Sequence, residues 1–270
     1  MNLSFTKMNG AGNDFILMDN REGRIQLTTD QIARLCDRHR GIGADGLLLV
    51  EPATGKAEFR MRYYNSDGRE AEMCGNGTRC FLRYALRISA SQQKTLSFET
   101  PAGVIRGTLL DNSVEIQMST PRDHRPLTVL QLENGAEEVH FINTGVPHAV
   151  IFVEDVGKID ISRRGAELRH HAAFLPAGAN ANFIQVLAPN HLRIRTYERG
   201  VENETLACGT GVVASALLHH LRTGAPSPIC VVVQSGDKIE VSFENSPNFQ
   251  NVRMRGPAEF VFDGEIEIPA

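Results

Sequence analysis

Two short segments set a cysteine directly before a glycine-rich turn and an apolar run of helical spacing. They are Cys74-Gly-Asn-Gly and Cys208-Gly-Thr-Gly, 134 positions apart in a chain of 270 residues. A helix N-terminus presents N–H groups without intrahelical partners and carries roughly half a positive charge. Such a terminus holds carboxylates and lowers the pKa of a neighbouring thiol. Glycines after the cysteine let the backbone come close to a ligand. Two acid/base groups on opposite faces of one tetrahedral carbon suit inversion: a thiolate removes a proton from one face and a thiol supplies one from the other. The α-proton of an amino acid is far less acidic than a thiol. A site of this kind must therefore stabilise charge growing into the carboxylate, a task suited to two helix N-termini in a dry, preorganised setting.

The elements that must position these turns also occur twice. Glu58–Tyr64 (EFRMRYY) and His191–Tyr197 (HLRIRTY) alternate apolar and polar residues, the pattern of half-buried strands. A polar loop follows each, NSDGREAEM and ERGVENETLA, and then comes the cysteine turn. Apolar residues return at helical spacing after both turns: Cys80, Phe81, Tyr84 and Ala85 in one case, Val212, Val213, Ala216, Leu217 and His220 in the other. The strands align at an offset of 133 and the cysteines at 134, so one loop carries an extra residue. A strand–loop–Cys-Gly-x-Gly–helix unit present twice reads as an internal duplication. Lys7–Asp14 and Asn143–His148 are weaker echoes, each followed by a strand-like run (FILMD, AVIFVED). The fold class expected is α+β: two pseudo-symmetric halves, each a curved, mostly antiparallel sheet or barrel around a central helix, with the active site in the cleft between them. The first half, with Cys74, takes residues 1–120 and about 258–270, and the second, with Cys208, takes about 121–257. The Pro-rich STPRDHRPLT segment marks the first boundary, and VRMRGPAEFVFDGEIEI reads as two strands around a Gly-Pro turn.

Composition narrows the function classes. An apolar content of 41%, a charged content of 22% and a net charge of −4 describe a globular protein with no electrostatic footprint for nucleic acid or an anionic membrane. MNLSFTKMNG lacks the apolar core of a signal peptide, and no apolar run approaches the ~18 residues of a membrane span. A cytoplasmic protein with reduced thiols is expected. The five cysteines are widely spaced with no CxxC pair, so no metal site is expected, and Cys36, Cys80 and Cys230 read as core residues. Gly41–Gly46 fits the G-x-G-x-x-G pattern of dinucleotide sites, but a helical pattern precedes it and a strand-like LLLVEP follows, the reverse of that fingerprint. A pyridoxal phosphate enzyme would need a Schiff-base lysine and a phosphate cradle. Lys7 alone neighbours a glycine-rich motif, and it reads as structural.

Nearly end to end, the sequence resembles the diaminopimelate epimerase family of lysine and peptidoglycan biosynthesis. The motifs that carry the resemblance are KMNGAGNDF, RHRGIGADG, YYNSDGREAEMCGNGTRC, NTGVPH, ANANFIQV and YERGVENETLACGTG, in the family's order. The resemblance implies an isomerase that needs no cofactor, with a small amino-acid substrate, catalysis by Cys74 and Cys208, and a homodimer. It implies that Gly75, Asn76, Gly209 and Thr210 hold the reacting carboxylate. Asn13, Asn65, Asn182, Glu198 and Arg199 match the residues that hold the rest of the substrate, and His148 and Glu198 support catalysis. Each type suits its place: Arg199 is able to bind a distal carboxylate in a bidentate fashion, Glu198 to accept from an ammonium, and the asparagines to offer neutral donors and acceptors. Two positions depart from a common form of the pattern. Gly46 stands where some members carry glutamine, and Val146 where some carry asparagine. The alternatives are another two-cysteine racemase, acting on proline, hydroxyproline or histidine, and a non-catalytic thiol redox or metal-binding protein.

Overall fold

A computed structural model describes residues 2–71, 74–90, 92–245 and 248–268, with Asn245 by its backbone alone. The chain separates into two compact units, Met1–Ile116 with Gly256–Ala270, and Gln117–Arg255. Glu72 and Met73, just before the first cysteine, lie outside the described residues.

The first unit contains β1 (Asn2–Gly10), β2 (Asn13–Asp19), α1 (Thr29–Cys36), β3 (Gly46–Pro52), β4 (Phe59–Asn65), β5 (Glu70–Ala71), α2 (Gly75–Ile88), β6 (Thr95–Thr100), β7 (Gly103–Leu110) and β8 (Ser113–Gln117). The last strand of the chain, named β18 below (Glu259–Glu267), belongs to it as well. Its strands run β18-β1-β2-β3-β4-β6-β7-β8, antiparallel except for β2–β3 and β4–β6. The continuous apolar runs of β2 and β3 follow from burial on both faces. Ile16, Met18, Leu47 and Leu49 pack with Ile32 and Leu35 of α1, while the alternate residues Phe15 and Leu48 lie against Gly77 of α2.

The second unit repeats this plan. It comprises β9 (Arg122–Leu132), β10 (Gly135–Asn143), β11 (Pro147–Phe152), α3 (Ile161–His170), β12 (Asn180–Ala188), β13 (His191–Glu198), β14 (Asn203–Thr205), α4 (Gly209–Thr223), β15 (Ile229–Val232), β16 (Lys238–Asn245) and β17 (Phe249–Pro257). Its order is β9-β10-β11-β12-β13-β15-β16-β17, with β11–β12 and β13–β15 the parallel pairs. Parallel and antiparallel pairings thus fall at the same places in both units. β9, which precedes its unit's other strands in sequence, takes the position that β18 fills at the chain's far end. Both units are α+β and dominated by mostly antiparallel sheet, the class the sequence indicates.

The helices start and stop for local reasons. Thr28 caps α1 through a reciprocal capping box with Gln31, and the helix ends at Cys36, short of the full TTDQIARLCDRHR pattern. The Gly41–Gly46 segment folds back on α1, with Ile42 and Gly43 N–H groups donating to Leu35 O at 2.9 and 3.0 Å. It leads directly into β3, so no strand–turn–helix for a dinucleotide exists there. Among the described residues no helix is long and apolar enough to cross a membrane.

Helix α3 has no counterpart in the sequence reading, because its apolar residues are sparse and Gly165 sits at its middle. Packing explains the glycine: a Cβ there would meet Tyr197 Cβ at 2.4 Å and Cγ at 2.7 Å. The helix can cross β13 only where a side chain is missing. Gly165→Ala is therefore expected to destabilise the protein by about 1–3 kcal/mol through overpacking, despite alanine's better helix propensity. Urea unfolding checks this, and an unchanged or raised midpoint would refute it.

Candidate active site

Both cysteines are helix N-cap residues. Cys74 precedes α2 at φ −136° and ψ 118°, and Cys208 precedes α4 at φ −117° and ψ 106°. Neither side chain makes the capping hydrogen bond, and Cys74 O and Cys208 O accept the first helical bonds, from Thr78 N at 2.8 Å and Val212 N at 2.9 Å. The thiols therefore stand at the positive ends of two helices, where the helix field favours an anion. Cys74 is half-buried and Cys208 is buried.

The other thiols have different surroundings. Burial pushes Cys36 and Cys80 up to about 12, which keeps them neutral. Cys230, expected in the core, is instead half-buried in a strand, and burial raises its thiol as well. None of the five cysteines is in a disulfide, and among the described residues no group of three or more His, Cys, Asp or Glu side chains could hold a metal ion.

In the first unit the turn is fastened from below. Asn76 donates to Asn13 Oδ1 at 2.6 Å and accepts from Arg79 Nη2 at 2.9 Å. Asn13 in turn donates to Asp45 at 2.9 Å. Arg79 is wholly buried and also donates to Pro257 O at 3.0 Å and to Gly75 O and Gly10 O at 3.4 Å. Beside this lies an ionic knot. Lys7 contacts Asp14 at 2.8 Å and donates to Gly43 O, and Arg38 reaches both Asp14 oxygens at 2.9 and 2.7 Å. Burial pushes the Asp14 carboxyl up, but the hydrogen bonds and charges of Arg38 and Lys7 outweigh it and hold the group at about 2. Lys7 is structural, as its sequence context suggests.

In the second unit the residues beneath the turn are polar. A Cβ on Gly211 would meet Asn182 Oδ1 at 2.5 Å, Cys208 Sγ at 3.4 Å and His148 Cε1 at 3.4 Å, so these three groups converge where only glycine fits. Asn182 Nδ2 lies 3.0 Å from Ala149 O, 3.2 Å from Asn180 O and 3.1 Å from His148 Nδ1, while Oδ1 accepts from Thr196 Oγ1 at 3.0 Å. The two carbonyls fix the amide's orientation, with Nδ2 held beside the imidazole. His148 Nε2 is buried with no hydrogen-bond partner among the described residues. Burial, followed by the Arg199 charge, pulls His148 down to about 3, so the ring is neutral. Thr210 Oγ1 lies 3.6 Å from Cys208 Sγ, and Thr210 O accepts from Thr144 at 2.8 Å.

Glu198 and Arg199 stand at the end of β13. Burial raises the Glu198 carboxyl, opposed by a bond from Thr205 Oγ1 at 2.9 Å. Arg199 N donates to Asn180 Oδ1 at 2.7 Å, and its guanidinium to Ala177 O at 3.3 Å. Asn65, which ends β4 as Glu198 ends β13, is exposed.

Within the second unit the structure gathers Cys208, Gly209, Thr210, His148 and Asn182 around one helix end, and within the first it gathers Cys74, Gly75, Asn76 and Asn13. Asn182 takes a different role from the one assigned by sequence. Fully buried with its amide already engaged, it holds His148 rather than offering groups to a ligand. Asn180, two residues earlier on the same strand, was not singled out, yet it orients the Arg199 backbone. The alternation in ANAN puts both side chains on one face of β12, which is the signal that could have found it. Arg79 was missed because nothing in a helical pattern distinguishes a buried arginine from a solvated one.

A duplicated α+β fold with a thiol at the N-cap of each repeated helix is the class defined here, and solved structures of low identity share the fold. A Bacillus anthracis phenazine biosynthesis protein of the PhzF family superimposes with a TM-score of 0.75 at 16% identity, covering 99% of this chain and 100% of that one. A hydroxyproline epimerase from Agrobacterium vitis, with trans-4-hydroxy-L-proline bound, gives 0.72 at 16% identity over 98% and 92%. The sequence family is narrower. The diaminopimelate epimerase model matches residues 5–122 and 140–261. A diaminopimelate epimerase of Chlorobaculum tepidum is 41% identical over 97% of this chain and 100% of its own, and one of Aquifex aeolicus is 38% identical over 98% of each. The chain belongs to the diaminopimelate epimerase family.

The buried His148 leaves a signature in stability. Its folded value of about 3 lies below the ordinary 6.5, so between these pH values the unfolded chain binds more protons. The stabilisation is fully present above about 6.5 and is lost as pH falls toward 3. His148→Gln is expected to remove up to about 1.4 kcal/mol per pH unit from that slope. Urea unfolding from pH 7 to 4.5 measures it. His140, also held down by burial, contributes equally to both proteins. Equal slopes would refute the buried neutral assignment.

Proposed function

We propose that this protein interconverts LL- and meso-2,6-diaminopimelate by a two-base mechanism in which Cys74 and Cys208 exchange a proton with the α carbon, one as thiolate and the other as thiol. The observation that carries the reading is the placement of both cysteines at the N-caps of equivalent helices, in a chain of the diaminopimelate epimerase family. The backbone N–H groups of Gly75, Asn76, Gly209 and Thr210 receive the reacting carboxylate and stabilise charge that moves into it as the proton leaves. Arg199 offers a planar donor pair to the distal carboxylate, and Glu198 accepts from an ammonium. His148 lies beside Cys208 as a neutral ring and steadies that thiol without adding positive charge. No pyridoxal phosphate enters the scheme: Lys7, beside the first glycine motif, is taken up by Asp14 and Gly43. The reading carries with it a cytoplasmic location, where both thiols stay reduced, and a homodimer, which light scattering would test.

Incubation with diaminopimelate in D2O, followed by proton NMR, is expected to show α-deuterium entering without added cofactor. Exchange into proline or histidine in place of diaminopimelate would overturn the substrate. Cys74→Ala and Cys208→Ala are each expected to lower turnover by at least about 10²–10⁴, the usual worth of a general acid or base, with unfolding midpoints near the parent's. Full activity in either variant would overturn the two-base scheme.

A further inference from the structure

Both cysteine turns are entered through the same ion pair. In the first unit Arg62 Nε and Nη2 donate to the two Glu70 oxygens at 3.0 and 2.7 Å. In the second, Arg195 Nε and Nη2 donate to the two Glu204 oxygens at 2.6 and 2.7 Å. The registers agree too: Tyr64 faces Glu70 across β4–β5 and Tyr197 faces Glu204 across β13–β14, so each arginine reaches its glutamate diagonally from two residues upstream. Arg62 and Arg195 are 133 apart, whereas Glu70 and Glu204, like the cysteines, are 134 apart. The extra residue of the second unit therefore lies in the ribbon turn before the glutamate, and the four-residue step from glutamate to cysteine is the same in both units.

This agreement separates the pair from ordinary surface charge. Bidentate arginine–carboxylate bonds fix angle as well as distance. The segments they fasten, Glu70–Ala71 and Asn203–Thr205, are only two and three residues long, so few backbone bonds set their register. Each glutamate lies four residues before the N-cap cysteine, so the placement of the ribbon bears on where the thiol sits. Arg195 is further anchored on Val156 O at 3.2 Å and Ile159 O at 2.9 Å, and the Arg62 guanidinium lies 5.2 Å over the Tyr64 ring. The apolar parts of the two turns differ in sequence, while this contact recurs.

We infer that Arg62–Glu70 and Arg195–Glu204 are positioning residues, each holding the thiol of its own unit at its helix N-terminus. The inference rests on Cys74 and Cys208 being the proton carriers, and its test does not use diaminopimelate. Removing a pair lets its cysteine spend less time at the helix end, so its thiolate fraction falls.

The experiment is site-resolved alkylation by iodoacetamide, with each cysteine peptide quantified by mass spectrometry, on Glu70→Gln, Glu204→Gln, and the charge-keeping Arg62→Lys and Arg195→Lys. Glu70→Gln is expected to slow Cys74 about fivefold, the size of a ~1 kcal/mol ion-pair contribution, and to leave Cys208 unchanged. Glu204→Gln should do the converse. The lysine variants, which keep the charge and lose the fork, should slow the same cysteine by a smaller factor and serve if a glutamine variant fails to fold. Parent rates at both cysteines in folded variants would overturn the inference, as would equal slowing of both cysteines by either one. A parent that alkylates normally but exchanges no deuterium into diaminopimelate would count against the proposed substrate and leave the positioning role standing.

Discussion

The arrangement in each unit depends on how near a helix end comes to the sheet beneath it. A helix N-terminus acts on charge only within its first turn, so a thiol gains from it only if the chain enters at one place and the sheet supports that place. In the second unit the approach is so close that a single Cβ at Gly211 would strike Asn182, and the cysteine, the histidine and the amide share the space that glycine leaves open. The rest follows from holding that approach: strands buried on both faces, a second helix on the far side of each sheet, and ribbons tied down just before the cysteines.

The duplication preserves geometry and varies chemistry. Gly77 and Gly211 occupy the same place in their helices. Gly77 lies over Phe15 and Leu48, and Gly211 over His148 and Asn182. The register makes these residues counterparts, since Phe15 pairs with Gly46 as His148 pairs with Asn180. One cysteine thus sits above an apolar floor and the other above a polar one containing a neutral imidazole. In the first unit the polar support comes from the side, through Asn76, Asn13 and the buried Arg79. Two thiols alike in backbone setting consequently differ in their electrostatic surroundings.

Much of this was legible in the residues because both signals are local. Alternation in EFRMRYY and HLRIRTY gives strands, and the glycines after each cysteine mark a helix start, so β4, β13, α2 and α4 follow from short-range rules. The repeat of the two patterns at one offset exposes the duplication. Helix α3 was not legible, because its Gly165 is demanded by Tyr197, a residue distant in sequence and met only in the folded unit. The role of Asn182 was misread for a related reason: side-chain chemistry says what an asparagine can bond to, while burial decides whether anything is left to bond.

The sequence by itself determined the fold class, the doubled cysteine turn and the family, because periodicity, glycine placement and motif order are properties of neighbouring residues. Tertiary structure alone decided which polar groups support those turns. The neutrality of His148, the low-lying Asp14 carboxyl and the burial of Arg79 depend on solvent exclusion and on partners brought together from separate strands. Desolvation and hydrogen bonding act over a few ångströms of space, and distance along the chain does not encode that separation.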